Sequence, residues 1–281
     1  MNLQLIISVV LYHNTKEQVK KILDSVNTTS VALKLVFIDN TPGGIDFFST
    51  LKLPENVVYQ KAAKNLGYGA GHNLSILNKN DVAPYHLIMN PDIYFDPQVL
   101  PKLVKYMDDH AEVTLLMPKV VWPDGADQGL RKLIPTPFDL IFRRFLPKPL
   151  HTPFKKRMAQ YELKQFNASA DLNVPILSGC FMFCRRDILQ QIGGFDERFF
   201  LYLEDVDLSR RLLKKGLNRY WPGVEVVHEY QKDSYKSKTH LKRHLNSALK
   251  YFNKHGWLID PYRSEQNRKA IAQKQTQGKP S

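Results

Sequence analysis

An α/β fold, with a mostly parallel central sheet flanked by helices, is predicted by three observations. Residues 3–11 are an unbroken run rich in Ile and Val, residues 15–26 repeat apolar side chains at helical spacing, and the two patterns alternate over roughly the first hundred residues. A strand that is apolar on both faces belongs inside a parallel sheet covered by helices.

The elements follow in order. Thr15 is placed to cap a helix whose Val19, Ile22, Leu23 and Val26 share one face. Residues 33–38 form the next strand, closed by Asp39-Asn40-Thr41-Pro42, which completes a β-α-β unit. Residues 57–60 are a short strand, 67–77 a helix entered through glycines, and 85–89 a strand that stops at Asn90-Pro91-Asp92. Residues 131–170 interrupt the alternation with Pro135, Pro137, Pro147, Pro149 and Pro153 among aromatic and basic residues, an insert rather than more sheet. Residues 176–184 resume as a strand, Gly193-Gly194-Phe195 turns the chain, 204–215 is a helix stopped by Gly216, and 223–228 is a last strand. An amphipathic helix is expected over 240–255 and disorder over 273–281. The organisation is therefore one α/β domain over residues 1–230 carrying a basic insert, and a basic helical extension over 231–281.

The chain has 281 residues, 43% hydrophobic and 11% aromatic, enough to bury a core and to exclude general disorder. The placement of its +13 formal charge is more informative than its size. Residues 131–164 hold 9 Lys/Arg against 2 acids, and residues 231–281 hold 12 against 3, so the remainder is slightly acidic. Such a distribution implies an anionic partner that touches only the insert and the tail, a membrane surface or nucleic acid. The aromatics beside the basic residues, Phe138, Phe142, Phe145 and Phe154, favour lipid headgroups, and no nucleic-acid motif is present. Cys180 and Cys184 are the only cysteines. In one extended run their α-carbons would lie roughly 13 Å apart, too far for a mutual disulfide. The N-terminal apolar run is short and lacks a basic leader, so a reduced, cytosolic protein is expected.

Ligands of open α/β sheets collect at the carboxyl ends of the strands, where Tyr12, Asp39, Asn65 and Asp92 all fall. Asp92 could hold a hard cation against two phosphates, although Asn-Pro-Asp is also an ordinary turn. In Glu204-Asp205-Val206-Asp207-Leu208, the acids suit the first turn of a helix and Asp207 can pair with Arg211. Asp205 is different, because Leu208 and Leu212 place it on the apolar face, a position that suits a general base beside a cavity. The glycine-rich stretch Asn65-Leu66-Gly67-Tyr68-Gly69-Ala70-Gly71-His72-Asn73 lets backbone amides approach a diphosphate, or lets a helix pack closely on the sheet. His228, at a strand end, is a metal ligand only if a second ligand such as Asp92 stands beside it. His240 and His244 have the spacing of a metal pair but lie on a Lys/Arg-rich face and read as solvated.

These pieces occur in one order, with Ser178-Gly179-Cys180-Phe181-Met182 and Gly194-Phe195-Asp196-Glu197 between Asp92 and Glu204. That order over residues 3–255 resembles glycosyltransferase family 2, the inverting enzymes of the GT-A fold with its Rossmann-like sheet, and within it the bacterial rhamnosyltransferase-like branch. Arg131 with Ile134-Pro135-Thr136-Pro137 is similar to a stretch of that branch.

The resemblance implies that Tyr12, Asp39 and Asn40 hold the nucleotide base, with Asp39 accepting from the pyrimidine N3–H. Asn65, Gly67, Gly71, Asn73 and Arg131 would line the donor pocket. Asp92 would bind Mg2+ or Mn2+ as the surviving acid of the family's DxD motif, whose first acid is Asn90 here, and His228 would be the second ligand. Asp205 would be the base, with Ser178, Gly179 and Glu204 on the acceptor side. The activity implied is transfer of a sugar, first rhamnose from dTDP-rhamnose, to a polysaccharide or polyprenyl-linked saccharide in O-antigen or capsule synthesis, at the cytoplasmic face of the plasma membrane. A UDP-hexose donor, a silent nucleotide-sugar binder and a nucleic-acid binder are the alternatives.

Overall fold

The computed structural model describes residues 2–140, 154–229, 238–273 and 276–277. Its first half is built on β1 (Leu5–Leu11), α1 (Lys16–Val26), β2 (Leu33–Asp39), β3 (Val57–Lys61), α2 (Tyr68–Ile76) and β4 (Tyr85–Met89). Then come β5 (Ile93–Tyr94), α3 (Val99–Asp109), β6 (Val113–Val121), β7 (Arg131–Lys132), α4 (Lys155–Tyr161) and β8 (Ala170–Asn173). The chain continues through β9 (Ile176–Leu177), β10 (Phe181–Arg185), α5 (Arg186–Gln191), α6 (Glu204–Leu213) and β11 (Leu217–His228). Its last elements are α7 (Lys238–His255), α8 (Pro261–Ala272) and β12 (Thr276–Gln277).

The main sheet runs β12-β8-β11-β6-β10-β4-β1-β2-β3, with β5 paired to β11. β1 is parallel to β2 and β4, β2 to β3, and β6 to β11, whereas β10 runs antiparallel to both β4 and β6. The all-buried β1, LIISVVL, sits where the strand order reverses, with β2 on one side and β4 on the other. Register aligns the strand ends there: Leu11 stands opposite Asp39, and Val9 opposite Met89. The chain after β1, β2 and β4 is thus delivered to one edge of the sheet, the crevice where ligands bind in open α/β folds.

Local chemistry accounts for the helix starts. Thr15 and Gln18 form a reciprocal capping box at α1, which buries Val19, Ile22 and Val26. Asp260 caps α8 ahead of Pro261 by accepting from Arg263 N.

The structure corrects several expectations. The apolar run 176–184 is two strands, β9 and β10, broken at Ser178-Gly179-Cys180, because β9 pairs with β7 in a separate small sheet. The last strand begins at Leu217, and its pairing with β6 shifts register between Trp221 and Glu225. Within the tail expected to be disordered, Thr276 and Gln277 pair with β8. Phe138 and Phe154 pack on each other at 5.2 Å, and the Arg157 guanidinium lies 4.2 Å from the Phe138 ring. Phe142, Phe145, Pro147, Pro149 and Pro153 of the insert lie outside the described residues, as do residues 230–237. Cys180 and Cys184 are free and buried. Among the described residues no helix is long and apolar enough to cross a membrane.

Candidate active site

The pairing of β5 with β11 sets His228 opposite Ile93, one residue after Asp92. Asp92 Oδ1 consequently lies 3.2 Å from His228 Nε2. Gln128 determines which face the imidazole presents. Its amide nitrogen donates to the carbonyls of His228 and Val121, at 2.9 and 3.3 Å, so its Oε1 is left to accept from His228 Nδ1 at 2.9 Å. That hydrogen bond fixes the tautomer with the Nε2 lone pair turned toward Asp92. A lone pair facing a carboxylate oxygen is repulsive unless a positive charge lies between them or the ring is protonated. Two ligands on adjacent vertices of a hard-cation shell, each about 2.2 Å from the ion, stand about 3.1 Å apart, close to the observed spacing.

The residues present therefore fit a divalent cation. Asp92 and His228 would hold it, with Gln128 orienting the ring from behind as second-sphere partners of metal-bound histidines do. Among the described residues no group of three or more His, Cys, Asp or Glu side chains is assembled. The remaining ligands would be water and substrate phosphate, the usual arrangement for Mg2+.

Across the cavity stands the start of α6. Tyr202 and Leu203 both have positive φ, 71° and 64°, a strained two-residue elbow that turns Glu204 and Asp205 inward. Asp205 Oδ2 accepts from Gly179 N at 3.0 Å and Oδ1 from Val206 N at 2.8 Å. Each oxygen keeps a lone pair, and the carboxylate is locked in orientation. A Cβ on Gly179 would come within 2.9 Å of the Asp205 Cβ, so the break between β9 and β10 is also what admits this carboxylate. Glu204 is 6% exposed, and its Oε2 has no hydrogen-bond partner. Burial, then the neighbouring Asp205, pushes its carboxyl well above the usual carboxylate range and so favours the protonated form. Asp207 has the structural role expected of it, being buried against Arg211, Lys254 and His255 at 2.6–2.7 Å.

One cavity of about 990 Å3 is lined by Asn90, Gln128, Arg131, Ser178, Gly179, Glu204, Asp205 and His228. That volume lies at the upper end for a ligand site and leaves room for two substrates. Asp205 lines this cavity directly, whereas Asp92 is outside the lining and stands 3.2 Å from His228, which belongs to it. Burial raises the Cys180 thiol to about 12, so no thiolate nucleophile competes there. Arg131 is 4% exposed, paired with Asp127 at 2.8 Å, and stacked over Tyr220. His240, read from sequence as solvated, also lines the cavity and meets the Tyr202 hydroxyl at 2.9 Å, while His244 packs on the Tyr202 ring.

The other sequence candidates surround the ends of β1 and β2. Tyr12 is 52% exposed, its ring open to solvent beyond β1. Asp39 is fully buried. Its carboxylate accepts from Thr41 N, Ile45 N and the Tyr59 hydroxyl, so here it holds its own loop. Asn40 Nδ2 donates to the Gly67 carbonyl, and Asn65 Oδ1 accepts from Gly67 N, so both brace the entry to α2. The structure gives Gly71 and Asn73 a packing use instead of a place in the cavity lining. A Cβ on Gly71 would meet Val10 at 2.8 Å, and Asn73 makes its hydrogen bonds to Phe195 and Glu197. Tyr68, which sequence reasoning passed over, lines the cavity and donates to the Gly179 carbonyl at 2.6 Å.

Comparison with known proteins places the fold and the family. An L-rhamnosyltransferase of Mycobacterium tuberculosis that acts on N-acetylglucosaminyl-diphospho-decaprenol is 29% identical over 74% of this chain and 71% of its own. The rhamnosyltransferase WbbL of Escherichia coli K12 is 26% identical over 86% of this chain and 90% of its own. Among solved structures, GalNAc-T7 with UDP, GalNAc and Mn2+ superposes with a TM-score of 0.63 at 12% identity, covering 96% of this chain but 54% of that one. The mannosyltransferase PcManGT of Pyrobaculum calidifontis, with GDP-Man and Mn2+, gives 0.55 at 15% identity over 97% of this chain and 75% of that one. These neighbours share the GT-A fold. The family model described as glycosyltransferase-like family 2 matches residues 7–253, nearly the whole described chain, and the protein is a member of that family, a glycosyltransferase.

Proposed function

We propose that the protein transfers rhamnose from a nucleoside diphosphate donor, dTDP-rhamnose first, to a saccharide acceptor carried on a polyprenyl diphosphate or a growing polysaccharide, with inversion. The observation that carries this reading is one cavity lined by both Asp205 and His228, with Asp92 3.2 Å from the His228 ring. The names of the two rhamnosyltransferase relatives support the choice of sugar. Tyr12 offers an exposed ring on which a pyrimidine stacks. Asp92 and His228 would hold Mg2+ or Mn2+, which when bound neutralises charge on the diphosphate.

Asp205 takes the proton of the acceptor hydroxyl, and the oxygen attacks the anomeric carbon on the face opposite the diphosphate. The sugar–phosphate bond breaks, and its electron pair leaves with the diphosphate. Glu204, whose burial favours the protonated form, stands on the acceptor side of the same cavity to donate a hydrogen bond. The basic insert and extension meet the anionic inner face of a membrane, where a lipid-linked acceptor resides; nucleic acid is not a partner.

A thermal-shift panel of dTDP, UDP, GDP and their sugars, with and without Mn2+, tests the donor assignment. A folded-state ligand raises the melting temperature by mass action. Stabilisation by dTDP or dTDP-rhamnose that Mn2+ strengthens is expected. Preference for a UDP-hexose would replace the sugar, and indifference to every nucleotide would overturn the reading.

A further inference from the structure

The corner between α7 and α8 exposes apolar side chains that the fold holds rigidly outward. Leu258 and Ile259 are each 86% exposed, Trp257 38% and Leu249 51%. The backbone beneath them is fixed. Gly256, at φ +103°, ends α7 with its N–H on the Phe252 carbonyl, and no other residue fits because a Cβ there would lie 2.6 Å from the Ile259 carbonyl oxygen. Arg263, 6% exposed, donates to the Leu258 carbonyl at 3.0 Å, and Asp260 forms a buried two-pronged ion pair with Arg210 at 2.6 and 2.8 Å. The Trp257 ring rests on Phe252 at 5.2 Å, and its N–H donates to Asn253. Two large aliphatic side chains are thus presented to water by a turn that cannot fold them back.

We infer that the Trp257-Leu258-Ile259 corner inserts into an anionic lipid bilayer and, with the outer face of α7, forms the membrane-docking surface. The inference deepens the membrane reading proposed above. Charge selects the occupant: Lys242 on α7 and Arg268 and Lys269 on α8 are exposed, against Glu265 as the one exposed acid of the two helices. Lys242 stands exposed on α7 beside Leu245, Asn246 and Leu249. Apolar wedges flanked by cations suit the headgroup boundary of an anionic leaflet, with tryptophan at the interface. A second copy of the chain is a poorer occupant, since a convex tip of a few residues falls well short of the roughly 800 Å² per partner that stable dimers bury, and its cations would face each other. At its other end α7 carries His240, which lines the cavity. The helix spans 18 residues, about 27 Å at the usual rise. A chain lying along the bilayer on this face keeps the cavity within reach of a lipid-linked acceptor.

The test is flotation of the full chain with vesicles of phosphatidylcholine mixed with phosphatidylglycerol, against phosphatidylcholine alone, beside the variant Leu258→Ser/Ile259→Ser. The wild type should float with the anionic vesicles and less so in high salt. The variant should lose partitioning by on the order of 10-fold or more, with unchanged melting temperature and unchanged transfer to a short water-soluble acceptor. A variant that floats like the wild type would remove the corner while leaving the membrane reading intact. A wild type that ignores both vesicles would remove both. Dimerisation of the wild type that the variant abolishes would assign the corner to a self-interface instead.

Discussion

Gln128 sets the orientation of the neighbouring His228 through its hydrogen bonds. With its nitrogen committed to two carbonyls, its oxygen must take the His228 Nδ1 proton, which turns Nε2 toward Asp92. Replacing Gln128 by Leu frees the ring to flip, so Mn2+ affinity, titrated by the ion's own paramagnetic resonance, should fall roughly 10–100-fold; unchanged affinity would leave Gln128 a packing residue. Asp205→Asn keeps the shape and removes the proton acceptor. It should lower kcat by roughly 10²–10⁴-fold with nucleotide binding nearly intact, and near-normal turnover would take the base role from Asp205. Glu204 sits buried with one oxygen unpartnered. Its raised pKa means that above about 4.5, the ordinary glutamate value, the unfolded chain releases a proton that the folded chain keeps, so the group lowers stability as pH rises. Glu204→Gln should therefore melt a few degrees higher than wild type at neutral pH, and the gain should vanish below pH 4.5; equal melting curves at pH 7 would contradict the burial argument. Asp92, Asp205 and His228 were legible because each ends a strand or opens a helix in a recognisable order. Gln128 was not, since nothing in a linear pattern marks a glutamine whose partner lies 100 positions away.

At the scale of elements, the glycines before and within α2 are packing devices. Gly67 has φ +85°, and a Cβ there would lie 2.3 Å from the Phe200 carbonyl oxygen. Gly69 leaves 2.8 Å to the Phe195 Cβ. Gly67→Ala adds to that clash a penalty of about 1–3 kcal/mol for a backbone region, φ 85° and ψ −174°, open essentially to glycine. Urea unfolding should show a loss of about 2 kcal/mol or more, with activity falling because Tyr68 is displaced; a loss under about 0.5 kcal/mol would mean that the loop relaxes freely. Sequence patterning revealed α1 to its cap and β4 to the residue, because each has one period and a clear stop. It ran 176–184 together because both short strands are apolar and the break is a contact with Asp205, invisible locally. It left α3 and α8 unread, although Val99, Leu100, Leu103, Val104 and Met107 are all buried on one face and Asp260-Pro261 is a helix start.

For the molecule as a whole, pH dependence is written into the core. Ser8 bridges His72 and His86 at 2.8 Å each, and Arg186 donates to His86 at 2.7 Å. Because Arg186 only donates, the chain of bonds runs from Arg186 through His86 and Ser8 to His72, and both rings must be neutral. Burial lowers His72 to about 3, and burial with Arg186 lowers His86 well below its ordinary value. The unfolded chain binds these protons near pH 6.5, so stability is full above that pH and falls as pH drops toward 3. Melting temperature should decline steadily over that window, and less steeply in His72→Gln; a flat profile between pH 6.5 and 4 would contradict the network. The central sheet and the crevice at its edge were foreseeable from alternation and strand ends. How the C-terminal region packs was not, because its attachments are ion pairs between distant charges.

Those attachments alter what the end of the chain is for. Arg210 and Asp207 lie on α6, the helix that presents Asp205, and both are neutralised from beyond residue 250, by Asp260 on one side and by Lys254 and His255 on the other. Clipping the polypeptide ahead of α7 would strip Arg210 of its buried partner, at about 3–5 kcal/mol, and leave Asp207 held by Arg211 alone. The segment that resembles a detachable appendage is the counterweight that keeps the reactive helix seated, and shortened versions of this enzyme should be recovered as aggregates.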